Sequence, residues 1–453
     1  MERRDSQMEC FQKTTPRRPR SAKKQEVPPA FWRLTLSAKS QPMQVYTNLM
    51  CQLKTGLLRR SFQSLDGHKA KGIDGMTKAR YGENLEVSLL ELETKLHRGS
   101  YHPLPARQVL IPKANGKMRP LAISSLEDKV VQKSVADILM ALYEPKFLEC
   151  SLGFRPRKGC HTALQKLYRM LKDETRPYVV DMDIEKFFDS VDHEKMIEVL
   201  GKRISDPRFL RLIRKMMKAG IMKDGQAVPN TMGTPQGSIV SPILANIYLH
   251  DVLDQWFHEN YENHHQQMVR YADDVVFCFK REEDATSFYQ SLKERLKEHG
   301  LTLNEEKSRI VSFRKKEHNV FSFLGMTFYW GQDRKKRVFL KMKTQTEKLA
   351  KSIQAFTVWI RENRGKAKLN AIWEEVKAKF RGHYAYYGIM LNKGVYLYYH
   401  ECTAILFKWL NRRSQKPSMS WEQFQRRLKL NPLPKPWGGQ LIDITQGELN
   451  YAI

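Results

Sequence analysis

The stretch that decides the fold reads QMVRYADDVVFCF, from Gln267 to Phe279. Apolar and aromatic residues on both sides of the two acids predict two short strands joined by a β-hairpin turn. Aspartate suits such a turn because its side chain bonds to nearby backbone groups and tolerates unusual backbone angles. Asp273 and Asp274 are neighbouring like charges, which cost free energy unless a cation neutralises them, and Mg²⁺ prefers such carboxylate oxygens. The hairpin is therefore a candidate metal site, and a solvated turn is the alternative.

A second acidic segment precedes the hairpin in the chain. Residues 178–184 read YVVDMDI, a pattern that predicts a buried strand on which Asp181 and Asp183 share one face. Charged side chains are rarely buried without a partner. This strand therefore requires a cation or a turn to explain its acids.

Two basic elements accompany the acids. Lys113 and Arg119 flank an Asn-Gly turn, which is a strong hairpin signal, and the pair could clamp a triphosphate. An ordinary solvated hairpin is the alternative. The loop GFRPRKG, residues 153–159, has glycines that allow close backbone approach to phosphates, and its cations are Arg155, Arg157 and Lys158.

Composition narrows the class of partner. The chain has 453 residues, 41% of them hydrophobic, with a formal net charge of +29 and a pI near 9.8. Such a charge predicts a polyanionic partner, and nucleic acid is favoured because neither a transmembrane stretch nor a signal peptide is present. The six cysteines are scattered without a C-x-x-C pair, so we expect no zinc knuckle or disulfide framework. A reducing cytoplasmic location is expected, nucleoid-associated in a bacterium.

The order of predicted elements, with helices between short strands and hairpins, indicates an α+β fold with an antiparallel sheet backed by helices. Residues 1–40 are basic and contain prolines, which predicts a loosely ordered arm, either phosphate-binding or simply solvated. After Gly331, apolar residues recur at helical spacing. There, FRGHYAYYG, residues 380–388, mixes Arg381 with aromatic rings as a nucleic-acid stacking surface does. Core packing of Tyr384 in a helical bundle is the alternative.

Together these features form the set that two-metal nucleotidyl transfer requires. The two metals sit about 4 Å apart, so carboxylates from different elements must converge on them. Cationic side chains then offset the charge of a triphosphate.

In this order the motifs resemble the reverse transcriptases encoded by bacterial and organellar group II introns. The resemblance covers residues from about 65 to 415 and rests on these stretches: GIDG at 72–75, IPK at 111–113 with RPL at 119–121, GFRP at 153–156, DI at 183–184 with FFDSVDH at 187–193, PQG at 235–237 with SPILAN at 241–246, YADD at 271–274, NEEK at 304–307 and FLG at 323–325.

The resemblance implies a role for each matching position. The catalytic carboxylates would be Asp183, Asp273 and Asp274, with Asp183 and Asp273 bridging two Mg²⁺ ions, or Mn²⁺ as a substitute, helped by the carbonyl of Ile184. Asp274 would act less directly, and Asp181 is interpreted as structural. The deoxynucleotide triphosphate would be bound by Lys113 and Arg119, by Gln236 lining its pocket, by Phe188 blocking a ribose 2′-hydroxyl, and by Lys307 near the phosphates. Nucleic acid would contact Arg155, Arg157, Lys158, Arg381 and Tyr384.

The same resemblance implies a right-hand polymerase with fingers, a palm built on the antiparallel sheet, and a helical thumb. The expected domains are a basic N-terminal arm (1–40), fingers and palm (41–330), a thumb and maturase region (331–415) and an irregular basic C-terminal tail (416–453). Two departures from the family pattern are Ser238, where a second glycine is usual, and a C-terminus without the Cys- and His-bearing endonuclease cluster of some relatives.

The predicted function is RNA-directed DNA polymerisation: extension of a DNA primer on an RNA template from deoxynucleotides, together with binding of intron RNA to assist splicing and mobility. One alternative is a domesticated relative that works in DNA repair or phage defence. Another is a splicing maturase that binds RNA without polymerising, although a pure binder has no need for the three acids. The oligomeric state stays open.

Overall fold

The computed structural model describes residues 31–112, 118–223, 226–262, 266–333, 335–390, 392–413, 419–436 and 441–444. Within these ranges the chain is α+β, as predicted. The strands are β1 (Ala106–Pro112), β2 (Met118–Ile123), β3 (Tyr178–Met182), β4 (Ile221–Lys223), β5 (Gln226–Val228), β6 (Gln266–Tyr271), β7 (Asp274–Phe279), β8 (Arg309–Ser312), β9 (Phe321–Phe323), β10 (Met326–Gln332) and β11 (Val338–Thr344).

Helices surround these strands. They are α1 (Trp32–Ser40), α2 (Thr55–Ser64), α3 (Lys78–Glu83), α4 (Leu85–Arg98), α5 (Leu126–Tyr143), α6 (Cys160–Leu171), α7 (Phe187–Ser190), α8 (His193–Gly201), α9 (Pro207–Lys218), α10 (Ser241–Leu249), α11 (Gln255–Asn260), α12 (Glu282–Glu298), α13 (Thr346–Asn363), α14 (Leu369–Tyr387), α15 (Lys393–Leu410) and α16 (Trp421–Leu430). A π-helical turn, His250–Asp254, joins α10 to α11.

A four-stranded antiparallel sheet, ordered β6-β7-β3-β8, carries the predicted acidic segments. Its strand β7 is buried on both faces: Phe277 and Phe279 pack in a large cluster with the helices, and Val276 and Cys278 pack in a second cluster with α6 and β9–β11. Burial on both faces accounts for the unbroken apolar run VVFCF. We call these four strands the central sheet.

A second sheet, ordered β2-β1-β4-β5, contains the other predicted hairpin. Strands β1 and β2 are antiparallel, with Ile111 opposite Arg119, and β1 also pairs in parallel with β4. The connecting turn, including Lys113, lies outside the described residues. The prediction for Lys113 therefore remains a prediction.

The chain after the central sheet is better ordered than the sequence suggested. The predicted boundary at 330/331 falls inside β10, which pairs with β11 along its whole length. Helices α13, α14 and α15 share an apolar core that includes Trp373 and Phe380, and we call them the C-terminal helical layer. The tail 416–453, predicted to be irregular, contains α16, and Phe424 of this helix is fully buried in the same core.

The last nine residues of the predicted N-terminal arm are helical and not loosely ordered as predicted. Residues 1–30 lie outside the described residues, but residues 32–40 form α1 and Phe31 is buried. The Arg60 guanidinium lies 5.8 Å from the centre of the Phe31 ring. A few apolar side chains in a basic stretch thus suffice to anchor its end. No helix among the described residues is both long and apolar enough to span a bilayer.

Candidate active site

The hairpin turn brings Asp273 and Asp274 to one end of the central sheet. Tyr271 pairs with Asp274, so Ala272 and Asp273 alone form the tip. Ala272, rather than either aspartate, takes the left-handed conformation, with φ of +60°. Because Met182 of β3 pairs with Val275 of β7, Asp183 and Asp274 lie at the same end of neighbouring strands, which run about 4.8 Å apart.

Asp183 is held by the loop that precedes β8. The sequence predicted that Asp183 shares a strand face with Asp181. Strand β3 instead ends at Met182, so Asp183 lies just past the sheet. Its N–H donates to Ser308 Oγ at 3.0 Å, and its Oδ2 accepts from Asn304 Nδ2 at 3.1 Å and from Lys307 Nζ at 3.0 Å. Lys307 is thus an ion-pair partner of Asp183. Ile184 is buried and bridges to Leu303.

Burial, followed by repulsion between the carboxylates, raises the pKa values of Asp181, Asp273 and Asp274. Burial, followed by repulsion from Asp183, raises the pKa of Asp273, while Arg119 and Arg270 oppose the shift. Burial of the carboxyl group, followed by repulsion from Asp273 and other acids, raises the pKa of Asp274 to about 6. Asp274 is an exposed residue as a whole, so solvent screens part of this repulsion. Burial also raises the pKa of Asp181 to about 6, against the opposing charge of Arg309.

The donor set fits a hard divalent cation in its chemistry. It consists of carboxylate oxygens, which Mg²⁺ prefers, and a bound cation would offset the burial and mutual repulsion that raise the pKa values of Asp273 and Asp274. In the described ranges no three His, Cys, Asp or Glu side chains are already gathered as a metal site. The ammonium group of Lys307 lies instead against Asp183. Cation binding would thus require small side-chain movements of Asp183, Asp273 and Asp274.

A polar chain lies beside the acids. Arg119 Nε donates to Gln236 Oε1 at 2.9 Å, and Gln236 Nε2 donates to both carboxylate oxygens of Asp189 at 3.2 Å. The backbone N–H of Ala122 donates to the Gln236 carbonyl at 2.7 Å, which fixes the PQG loop against β2. Arg119 is also close enough to Asp273 to lower the pKa of that acid. The structure thus brings Arg119 and Gln236 together beside the acids.

Phe188 lies on the single-turn helix α7, directly before Asp189, which accepts the hydrogen bonds from Gln236. Its carbonyl accepts from Thr234 N at 2.6 Å, which links α7 to the start of the PQG loop. The ring is half-buried and contacts Phe187, with ring centres 5.4 Å apart. Lys186, in a left-handed conformation with φ of +45°, turns the chain from the sheet into α7. This turn places Phe188 on the helix that follows the end of β3.

Two predicted nucleic-acid contacts do not fit their surroundings. Arg155 is only 6% exposed; it forms an ion pair with Glu144 and donates to the carbonyls of Leu148 and Ser151. Tyr384 is 7% exposed and packs edge-on against Phe380 and Tyr398. Arg155 therefore stabilises its own loop. Tyr384 belongs to the core of the C-terminal helical layer, as the alternative interpretation of the FRGHYAYYG segment proposed.

The remaining predicted cations are accessible. Arg157, with φ of +58°, and Arg381 are exposed. Lys158 forms an ion pair with Glu149 at 2.7 Å. These three residues stay candidates for contact with phosphates.

Sequence reasoning missed Arg270, the residue before the YADD motif. It is a fully buried arginine in an apolar strand, bonded to Asp254, Asn246, Ser151 and the carbonyl of Ala272. A charged residue at a strand position with apolar neighbours was the available signal, because such a charge is rarely buried without a partner.

Part of the chain is similar to known proteins. Residues 111–328 match the family model for reverse transcriptase (RNA-dependent DNA polymerase). Protein YkfC of Escherichia coli K12 is 40% identical over 201 residues, which are 44% of this chain and 52% of YkfC. The group II intron-encoded protein LtrA of Lactococcus lactis subsp. cremoris is 35% identical over 222 residues, 49% of this chain and 37% of LtrA.

A third relative is a putative COX1/OXI3 intron 2 protein of Saccharomyces cerevisiae, 34% identical over 203 residues, 44% of this chain and 23% of that protein. The chain thus spans about half, or less, of the length of these curated relatives. The matched region contains the central sheet, the YADD hairpin and the PQG loop. Residues 111–328 are therefore similar to reverse transcriptases, and this part of the chain is also similar to proteins whose names refer to introns.

Proposed function

We propose that the chain is an RNA-directed DNA polymerase of the group II intron type, which extends a DNA primer on an RNA template. The observation that carries the proposal is the meeting of acids from two neighbouring strands, with raised pKa values, beside the Arg119–Gln236–Asp189 chain. Acids that share uncompensated charge next to a cation and a polar pocket suit a triphosphate with its metals.

A right-hand architecture follows from this proposal. The central sheet would be the palm, the β1–β2 hairpin and helices α2–α5 would belong to the fingers, and the C-terminal helical layer would be the thumb and maturase region. The boundary between palm and thumb is better drawn after β11, at about residue 345, since β10 and β11 form one hairpin.

Two Mg²⁺ ions, or Mn²⁺ in their place, would be held by Asp183 and Asp273, with Asp274 and the Ile184 carbonyl in support. When bound, such ions lower the pKa of the attacking 3′-hydroxyl and stabilise the charge of the leaving pyrophosphate. In this proposal Arg119 neutralises triphosphate charge, and so does Lys113. Gln236 orients the incoming nucleotide, and Phe188 excludes a 2′-hydroxyl. Lys307 holds the Asp183 carboxylate until cation and nucleotide arrive.

The proposed partners are an RNA template, a DNA primer and deoxynucleotides, with intron RNA as the natural template and splicing partner. Two relatives whose printed names refer to introns support the intron assignment. A domesticated polymerase without an intron would use the same site. A maturase that binds RNA without polymerising is the competing function, and the three acids disfavour it because RNA binding alone does not require them.

Primer extension on an RNA template with Mg²⁺ tests the proposal. We expect Asp273→Asn to lower extension by about 10²-fold or more, while RNA binding stays within about threefold because phosphate contacts supply most of the affinity. Glu283→Gln removes an equal charge from the exposed start of α12 and is the matched control. Full activity of Asp273→Asn would reject the metal assignment. Tight RNA binding without extension by the wild type would favour the maturase alternative.

A further inference from the structure

The buried Arg270 guanidinium connects two helices and a loop to the catalytic turn. Its Nε donates to Asp254 Oδ1 at 2.7 Å and one terminal nitrogen donates to Asp254 Oδ2 at 2.5 Å. That nitrogen also donates to Ser151 Oγ at 2.7 Å, and the other terminal nitrogen donates to Asn246 Oδ1 at 3.0 Å. Arg270 and Asp254 are both inaccessible to solvent.

The remaining bond of Arg270 reaches the turn itself. The nitrogen that contacts Asn246 also donates to the carbonyl of Ala272 at 3.0 Å. Ala272 has a φ of +60°, a conformation that costs an alanine free energy and persists only where the surroundings enforce it. Arg270 is thus bonded to the strained residue that directly precedes Asp273.

The turn also has a close backbone contact with Gly153. A Cβ atom on Gly153 would overlap the backbone nitrogen of Ala272. Gly153 is in turn held by Asn246, whose Nδ2 donates to the Gly153 carbonyl at 2.7 Å. Segment 150–152 also runs beside β6, since Arg270 N donates to the Cys150 carbonyl and Leu152 N to the Arg270 carbonyl. Ala272 is therefore contacted at its carbonyl by Arg270 and near its nitrogen by Gly153, and Asn246 bonds to both of these residues.

The helical side of the cluster explains the orientation of Asp254. Asp254 is the last residue of the π-helical turn between α10 and α11, and π-turns are frequent at functional sites. The extra residue of such a turn changes which residues of the following helix face the sheet. Asp254 is thereby directed at Arg270, and the pair compensates a charge that would otherwise be too costly to bury.

We propose that Arg270, anchored by Asp254 and Asn246, is a positioning residue that holds the Ala272–Asp273 turn in its metal-binding conformation. This inference rests on the proposed function, because it assigns Asp273 to the metals. Arg270 touches neither substrate nor metal. It acts through the Ala272 carbonyl, and its removal would let the turn relax toward ordinary backbone angles, which displaces the Asp273 carboxylate.

The test replaces the ion pair by apolar groups of similar size, Arg270→Met with Asp254→Leu, so that no buried charge is left alone. Mn²⁺ binding is measured on the full chain from the electron paramagnetic resonance signal of the free ion, with Asp273→Asn as the blank for this site. We expect the double variant to bind Mn²⁺ about 10- to 100-fold more weakly, as for lost partners of metal ligands. In primer extension, the Mg²⁺ concentration for half-maximal rate should rise while KM for the deoxynucleotide changes little.

Gly153→Ala provides a second route to the same turn without touching the ion pair. It should weaken Mn²⁺ binding in the same direction because its methyl group displaces Ala272. The control for lost stability is Asp206→Ala, which removes a buried carboxylate that accepts from the backbone N–H groups of Met50, Arg208 and Phe209. This control should lower Tm and leave Mn²⁺ binding unchanged.

Circular dichroism and Tm identify which variants are folded. Unchanged Mn²⁺ affinity in a folded Arg270→Met/Asp254→Leu variant, or in folded Gly153→Ala if the first does not fold, would overturn the positioning role. Weakened binding in the Asp206→Ala control would also overturn it, since any destabilisation would then suffice. A wild type that binds Mn²⁺ but does not extend a primer would refute the polymerase proposal instead, and the two failures are thus distinguishable.

Discussion

Phe188 is the residue on which the proposed choice of sugar depends. Replacing its half-buried ring by alanine should open space beside the incoming nucleotide and raise ribonucleotide incorporation relative to deoxynucleotides by about 10- to 100-fold, since steric exclusion of one hydroxyl is worth roughly that much. The measurement is the ratio of kcat/KM for the matched ribo- and deoxynucleotides on an RNA template. Phe188→Tyr keeps the ring and should keep selectivity; equal selectivity in the alanine variant would contradict the role.

His383 provides a prediction at the same scale for stability. Its ring stacks on Tyr398 with centres 3.7 Å apart, its Nε2 is buried with no hydrogen-bond partner among the described residues, and burial lowers the pKa of this histidine to about 4. The unfolded chain therefore binds the proton more readily than the folded one between pH 6.5 and pH 4. Stability should be fully present above about pH 6.5 and fall on acidification, by at most about 3 kcal/mol.

Urea unfolding of wild type and His383→Phe at several pH values measures this. The phenylalanine keeps the stacked ring and removes the titration, so the stability difference between the two proteins should change across that window. A difference that stays constant with pH would show that His383 does not titrate as described.

Candidate residues for the site could be named from sequence motifs, but their contacts could not. Asp183, Asp273, Arg119 and Gln236 each belong to a short recognisable motif, and the fold brings these four motifs together. No sequence pattern indicates that Lys307 pairs with Asp183, or that Ala272 takes the strained backbone angle expected of an aspartate. Such facts depend on packing between segments distant in the chain.

At the scale of elements, α16 shows how much composition can mislead. Basic and proline-containing residues around it predicted an irregular tail, yet Ser420 and Gln423 form a capping box and Phe424 is fully buried against Phe407 and Trp373. The capping box was readable in the sequence. The burial was not, because a ten-residue helix has little intrinsic stability and depends on the surface it contacts.

Phe424→Ala tests that dependence. Deleting a fully buried ring should cost about 3–5 kcal/mol through lost burial and the cavity left behind, and we expect the unfolding midpoint of the helical layer to fall. Leu430 lies on the same helix and is 87% exposed, so Leu430→Ala should change stability by less than about 0.5 kcal/mol. Equal and small effects from both substitutions would mean that α16 contributes nothing to the layer.

The strands of the central sheet were predicted well because their flanks are unambiguous. A short apolar run such as VVFCF between two turn signals is typical of a buried strand and too short for a helix. Domain limits were less accurate: residue 331 interrupts no element, since the β10–β11 hairpin continues past it. The share of basic residues rises after residue 331, but the hydrophobic pattern and the turn geometry set the register of a hairpin, and charge does not.

For the whole molecule, net charge governs association. With a formal charge of +29, binding of RNA should release many counterions. We expect affinity to fall by about 10³-fold or more between roughly 50 mM and 200 mM salt, with the logarithm of the association constant linear in the logarithm of salt concentration. Fluorescence anisotropy with a labelled RNA measures the slope. A shallow slope would indicate recognition dominated by uncharged contacts.

Arg381→Gln should reduce that slope by about one unit if its exposed guanidinium contacts a phosphate, and Arg155→Gln should leave the slope unchanged because Arg155 is committed to Glu144. The Tm of Arg155→Gln must be measured together with its RNA affinity. The loop that Arg155 stabilises contacts the Ala272–Asp273 turn, so a loss of affinity in this variant can come from lost stability. An unchanged slope for Arg381→Gln would remove it from the interface.

The single-residue insertion at His250–Asp254 has a consequence for anyone who recombines or shortens this protein. Successive residues of a helix are rotated by about 100° around its axis. Deleting one residue here would therefore rotate Asp254 away from Arg270 and change which downstream apolar side chains face the core. A chimera that takes this helix from a homologue of different length would therefore separate Asp254 from Arg270 and leave the Ala272–Asp273 turn without its anchor.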